Sequence, residues 1–516
     1  MMEASPKQYK QRLWHLHSIV GLSAGLVMYI SVFFGLFAIY LPYLQAWEKP
    51  SRHFALMASE EVTYEPILKQ VFEDVDFPQN NILVTFPGVM GDPAVKVSHR
   101  FATARYFNPR THAKIKEEPS RLAWFLNELH YGKPLKIIGR IGFGLMAVAV
   151  LALSISGLVL ILVMRFKNQG KTPQSRFSKW HIDIFTWALP VFLLITLTGA
   201  MMGVGILSAN PMAKILTGEK NADIEGVVGP ALFPRASVVP KAEAKASMLP
   251  LSELIVHAKA VDPDINFQEA RLINWGDASA QVELKGYNPY RPFLNGGPFH
   301  KPSVTLHAVD GSLVEYQGVF GKPWGAYVAE ATFFLHFLFG VDIFSRTFVA
   351  VLMALTGLAI GFGMLLWLEK QARKFEGKIT FYHWFGKFSL AAMVGIVPAT
   401  GFVFVLQWLL PFGMEERLLW QQGLFYNAWL ATLLWAFYRL DGYKASKELL
   451  ALGGVLFVLC PVLHVASVGI GVFGLGNIIA VDIALLAMGA GLLVLAKKLP
   501  NSKEHAKAFW IRKEKP

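Results

Sequence analysis

The chain reads as a mainly α-helical membrane protein, with about eight transmembrane helices and two small α+β modules set between them in a duplicated arrangement. Three observations lead there: apolar composition, apolar runs of membrane-spanning length, and a histidine–glycine spacing that recurs along the chain. Of 516 residues, 54% are apolar and only 16% charged, against about 25% charge in an ordinary soluble domain. Mean hydropathy is +0.40.

The spacing joins His17 to Gly35, His181 to Gly199 and His383 to Gly401, each 18 residues apart. Eighteen residues make five helical turns, so both members lie on one helix face about 27 Å apart. That rise nearly matches the hydrocarbon thickness of a bilayer. A histidine at one membrane surface above a small residue at the other suits a membrane-embedded macrocycle.

The expected spans are approximately 18–41, 139–164, 184–207, 344–368, 386–410, 423–438, 448–470 and 475–496. The sixth is the shortest. The first follows Lys7, Lys10 and Arg12 but is too long for a signal peptide and lacks a small-x-small cleavage site, so it is expected to be a retained anchor. Basic residues fill alternate connectors: Lys167, Lys171, Arg176 and Lys179, then Lys370, Arg373, Lys374 and Lys378, then Arg439, Lys444 and Lys447, then the tail. The positive-inside rule makes that side cytoplasmic and places both termini there. The formal charge of +13 is therefore a topology signal, and nucleic acid is not an expected partner; membrane lipid is.

The segments around 43–137 and 208–335 then lie outside, giving the order 1–42, 43–137, 138–207, 208–335, 336–410 and 411–516 for anchor, first module, spans two and three, second module, spans four and five, and a C-terminal extension. Each module opens with a helix-like stretch, Tyr64–Phe72 or Leu251–Ala260. Alternating runs follow, at Ile82–Phe86, Ala94–His99 and Arg105–Phe107 in the first, and at Arg271–Trp275, Ala280–Lys285 and Ser303–Ala308 in the second. Asn108-Pro109-Arg110-Thr111 and Asp310-Gly311-Ser312 carry turn chemistry, and Tyr287–Pro302 reads as an insertion loop.

Aligning the two halves brings out a second histidine pair, in Glu128-Leu129-His130-Tyr131 and Phe334-Leu335-His336-Phe337. Ten residues after each stands an arginine, Arg140 or Arg346, and 27 after each a glycine, Gly157 or Gly363. Repeats on this scale carry fold-level information in membrane proteins.

With Leu16-His17-Ser18-Ile19-Val20-Gly21, the repeated Leu-His before the even spans and the alternation of spans with outer modules, residues 10–405 resemble the PepSY-associated transmembrane proteins, also called iron-regulated membrane proteins. Phe107-Asn108-Pro109-Arg110-Thr111 resembles the Asp-Pro-x-Thr-Gly strand ending of PepSY domains, with Asn for Asp and His112 where Gly is expected. The resemblance implies PepSY-like extracytoplasmic modules and a bacterial inner-membrane location. It further implies a haem-containing reductase acting on ferric siderophores or another periplasmic electron acceptor.

The single cysteine, Cys460, excludes cysteine-based zinc or iron–sulfur sites and a covalent CxxCH haem attachment, so the haem that the resemblance implies would be held without thiolates, and the two histidine pairs lead to an expectation of two b-type haems. His130 and His336 are the expected outer pair. His17 and His181 are the expected inner pair, with His383 able to replace either. The alternative for His130 and His336 is interfacial hydrogen bonding to the modules. Gly35 and Gly199 leave room for a porphyrin edge or for close helix packing. Arg140 and Arg346 suit haem propionates or lipid phosphate equally. No nucleotide-binding glycine loop is present, so electrons must come from a quinol or a cytoplasmic reductant. Two other functions fit the same chain: a proton-coupled transporter of a metal chelate, and a non-enzymatic peptide-binding or regulatory protein.

Overall fold

The computed structural model describes residues 6–163, 172–219, 239–338, 340–374, 381–439 and 441–501. Lys167, Lys171, Lys378 and most of the basic tail lie outside the described residues. In chain order the elements begin with α1 (Pro6–Ile39), α2 (Leu41–Trp47), α3 (Glu65–Glu73), β1 (Ile82–Thr85), β2 (Val95–His99), β3 (Ala102–Phe107) and β4 (Lys114–Ile115). Next come α4 (Leu122–His130), α5 (Lys136–Val163), α6 (Pro173–Thr217), α7 (Leu251–Val261), β5 (Asn266–Ile273), β6 (Gln281–Tyr287) and α8 (Pro292–Asn295). The chain continues through β7 (Ser303–His307), β8 (Leu313–Gln317), α9 (Trp324–Phe337), α10 (Ile343–Lys374) and α11 (Phe381–Leu390). It ends with α12 (Ile396–Leu409), α13 (Arg417–Tyr438), α14 (Gly442–Val468) and α15 (Gly476–Lys498). Two compact units result, one of residues 1–44, 119–205 and 343–516 and one of residues 45–118 and 206–342.

Among the described residues, seven helices are long and apolar enough to cross a membrane, where the sequence suggested eight. The expected sixth span forms α13, a helix of 22 residues, but it is not among the seven. Arg417, Gln421 and Thr432 are buried along it, which keeps its apolar content low.

In the helical unit α1 packs on α4, α5 and α10. Small residues set the closest approaches, as expected where helices share a low-dielectric solvent. A Cβ on Gly454 of α14 would stand 2.9 Å from the Gly489 carbonyl of α15, and one on Gly144 of α5 would stand 3.3 Å from the Gly203 carbonyl carbon of α6. Outward faces carry exposed apolar side chains such as Ile138, Leu162 and Phe348, as a lipid-facing surface requires.

The second unit departs from the expectation of two separate modules. Their strands form one antiparallel sheet in the order β4-β3-β2-β1-β5-β6-β7-β8. The halves meet where β1 pairs β5, with Val84 opposite Ala270 and Leu83 opposite Arg271. Each half repeats one helix followed by four strands. Ile67, Leu68 and Val71 of α3 and Leu251, Leu254, Ile255 and Ala258 of α7 join one core with Val84, Val97, Ala270, Val282, Leu284 and Val304. Strand alternation sends Arg271, Glu283 and Lys285 to the opposite face, where Glu283 pairs with Lys285 at 3.2 Å and with Arg271 at 2.5 Å.

The turns repeat as well. Asn108 Oδ1 accepts the N–H groups of Arg110 and Thr111, and His112 then adopts φ +56°. In the second half Asp310 Oδ1 accepts from Ser312 and Gly311 has φ +73°. His112 thus takes the left-handed conformation that glycine adopts at low cost.

Candidate functional site

The opening part of α1 and the start of α6 bring His17 and His181 together. Their ring centroids lie 6.4 Å apart with an angle of 72° between ring planes. Each ring is anchored through Nδ1 to a different helix. His17 Nδ1 lies 3.0 Å from Ser156 Oγ on α5. That hydroxyl donates its own proton to the Leu153 carbonyl at 2.9 Å, so the imidazole is the donor. The Leu153 carbonyl also accepts from His17. His181 Nδ1 donates to the Ala359 carbonyl of α10 at 2.8 Å.

His130, the last residue of α4, is held in the same way. Its Nδ1 donates to the Ser31 carbonyl of α1 at 2.7 Å, and Ser31 Oγ donates back to the His130 carbonyl at 2.9 Å. Burial holds this imidazole below the usual histidine range, against the opposing effect of its bond to Ser31. A carbonyl has no proton to give, so Nδ1 carries the proton in each ring, and Nε2 presents its lone pair away from the anchoring helix.

A glycine stands one turn beyond each anchoring carbonyl: Gly157 after Leu153, Gly363 after Ala359 and Gly35 after Ser31. A Cβ there would come 3.2 Å from His17 Cε1, 3.1 Å from His181 Cε1 and 3.1 Å from His130 Cε1. These glycines are therefore notches that let an imidazole lie against a helix backbone. The spacing of 18 residues connects residues that serve different rings: Gly35, on the helix of His17, seats His130. Gly157 and Gly363, known from the sequence only as repeat positions, seat the other two. Gly199 is half-buried on α6.

The other candidates are placed differently. His336 lies near the end of α9 in the sheet-containing unit, its ring edge-on to Phe337 at 5.4 Å. His383 is exposed near the start of α11, whereas Gly401 faces Leu456 and the Gly453 carbonyl of α14, so in the third pair the glycine serves helix packing. Arg140 is exposed on α5. Arg346 is buried and donates to the Ile39 carbonyl at 2.7 Å, capping the end of α1.

Sequence reasoning missed Asp482. It accepts from His464 Nδ1 at 2.8 Å, with His464 0% and Asp482 2% exposed, and the His464 ring stacks on Trp408 at 4.3 Å. A lone carboxylate in an apolar span was the available signal. Among the described residues no group of three or more His, Cys, Asp or Glu side chains is placed to hold a bare metal ion.

The His17–His181 pair fits an iron that brings four equatorial ligands of its own. Two imidazoles that held one iron through Nε2 would have ring centroids about 6.3 Å apart, from two metal–nitrogen bonds of about 2 Å plus the ring radii. The observed separation matches, and both rings have the tautomer that ligation needs. A family model for the PepSY-associated TM region matches residues 14–370. No curated protein matches the chain.

Proposed function

The chain belongs to the PepSY-associated transmembrane family, and from that membership and the imidazole geometry we propose that it is a di-haem electron conduit of the bacterial inner membrane. The observation that carries the reading is the His17–His181 pair, with ring centroids 6.4 Å apart and both Nδ1 atoms tied to backbone or serine oxygen. His17 and His181 would hold one haem b. His130 has the same anchored tautomer and would be a ligand of a second; His336 is its counterpart in the sequence repeat.

Haem iron, when bound, cycles between ferric and ferrous states and so passes single electrons. The residues of this chain fix how that happens. The three glycine notches set ring position, and the anchoring oxygens set tautomer and raise the basicity of Nε2. Ser31 lies 14 residues along α1 from His17, about 21 Å, so one helix carries a candidate ligand at one level and the anchor of another, His130, at a second.

Positive-inside placement of the basic connectors supports cytoplasmic termini and an outward sheet-containing unit. Electrons would then run from a quinol or a cytoplasmic reductant to a periplasmic acceptor, for which a ferric siderophore is the proposed substrate. Reduction to Fe²⁺ weakens its hold on a hard-oxygen chelator, and no acid, base or nucleophile is required.

Absorption spectroscopy of the detergent-purified protein, from cells supplied with haem, tests this reading. A Soret band with two b-type components in reduced-minus-oxidised spectra is expected. A colourless protein that moves a chelate with protons would replace the conduit by a transporter.

A further inference from the structure

The loop between β6 and β7 is fastened to α9 by one carboxylate. Glu330, 0% exposed, accepts the backbone N–H groups of Phe299 at 2.8 Å and His300 at 2.9 Å, and that of Gly297 as well. Three N–H bonds satisfy a carboxylate without any further cation. Nearby, Lys322 is 8% exposed. Its ammonium donates to the His300 carbonyl at 3.0 Å and faces the Tyr327 ring at 5.3 Å.

His300 itself is 7% exposed. Gln317 Nε2 lies 3.1 Å from its Nδ1 and donates there, which leaves the ring proton on Nε2. That Nε2 is buried and has no hydrogen-bond partner among the described residues. Burial, then the positive charges of Lys322 and Lys285, hold the imidazole below its ordinary range and neutral. The carboxylates in the neighbourhood are committed: Glu330 to its three N–H groups, and Glu283 to Arg271 and Lys285. A buried N–H donor in a positive field costs stability unless an acceptor meets it.

We infer that His300, Lys322 and Lys285 form a binding site for a carboxylate, with the His300 Nε2–H as the directional donor and the two lysines as the charge. Two sources supply that chemistry. One is a carboxylate-bearing chelate arriving from solution. The other is a haem propionate, since Glu330 stands six residues before His336 on α9, about 9 Å along the helix. The second source rests on the haem reading above; the first does not.

Isothermal titration of the full-length detergent-purified protein with citrate, and with trimethyl citrate as the carboxylate-free control, tests the solution source. Citrate is expected to bind and its ester not to. His300→Phe and Lys322→Met each weaken citrate at least about tenfold, the scale of a hydrogen bond to a charged group. His300→Gln, which keeps an N–H donor, stays within about threefold. If a propionate is the occupant, citrate fails to bind, and the wild type retains haem better than haem dimethyl ester by about tenfold, a preference His300→Phe abolishes. The inference is overturned if the wild type prefers neither citrate over its ester nor haem over its diester, or if folded His300→Phe and Lys322→Met leave those preferences intact. The citrate arm needs no haem, so its outcome is independent of the Soret measurement.

Discussion

The imidazoles of His17 and His181 stand 6.4 Å apart at 72°, each tied through Nδ1 to a different neighbouring helix. His17 is fixed by Ser156 and Leu153 of α5, and His181 by Ala359 of α10. A pair held only by packing would be free to rotate. This pair has both rotation and protonation fixed before any ligand arrives, the preorganisation a metal site needs.

The notches make glycine substitutions informative. Gly363→Ala puts a methyl 3.1 Å from His181. Overpacking of this kind costs about 1–3 kcal/mol, so haem content or affinity at that site should fall by about tenfold or more. Gly142→Ala, where a Cβ meets nothing within 4 Å, should leave the spectrum unchanged. Equal behaviour of the two variants would refute the notch.

Ser156 is the anchor that a conservative change removes. Ser156→Ala deletes the hydroxyl 3.0 Å from His17 Nδ1, and outer partners of this kind are worth about 10–100-fold in metal affinity. A less basic Nε2 stabilises ferric iron less, so the midpoint potential of one haem should rise in a spectroelectrochemical titration while the other stays fixed. An unchanged pair of potentials would leave the Leu153 carbonyl as the acceptor that anchors His17 and contradict a role for Ser156.

His112 bears on the sheet rather than on the proposed haem sites. Its φ of +56° costs a non-glycine residue about 1–2 kcal/mol, partly offset in a glycine variant by greater freedom of the unfolded chain. His112→Gly should therefore raise stability by up to about 1 kcal/mol, read as a higher midpoint in thermal unfolding of the full chain. A lower midpoint would show that the histidine side chain contributes more than its backbone costs.

The C-terminal helices should separate from the proposed haem sites. Asp482→Ala removes one member of a buried pair, a change that costs about 3–5 kcal/mol. The unfolding midpoint should fall while the Soret components of folded protein persist. Loss of one component would give His464 and Asp482 a part in the redox site.

Much of this architecture was legible in the sequence, because periodicity and spacing are local properties. The strand runs at Ile82–Phe86 and Ala280–Lys285 fall on β1 and β6, and the repeat-linked histidines and glycines were visible as positions. The partners of the glycines were not. Gly35 shares a helix with His17 but seats His130 of α4, a relation fixed by how helices pack. The β1–β5 join was equally hidden, since register between strands separated by about a third of the chain leaves no local pattern. Arg140 and Arg346 show the limit of repeat reasoning: one is exposed and the other caps α1.

The central claim is that His17 and His181 ligate the same iron, and reduced-minus-oxidised spectra of single variants test it most directly. His17→Ala and His181→Ala should each remove one and the same b-type component, with His130→Ala removing the other. In the wild type, ring planes at 72° should also give that component a strongly anisotropic low-spin ferric EPR signal, because crossed ligand planes leave two iron d orbitals nearly degenerate. Loss of different components in His17→Ala and His181→Ala, or retention of both, would contradict the account.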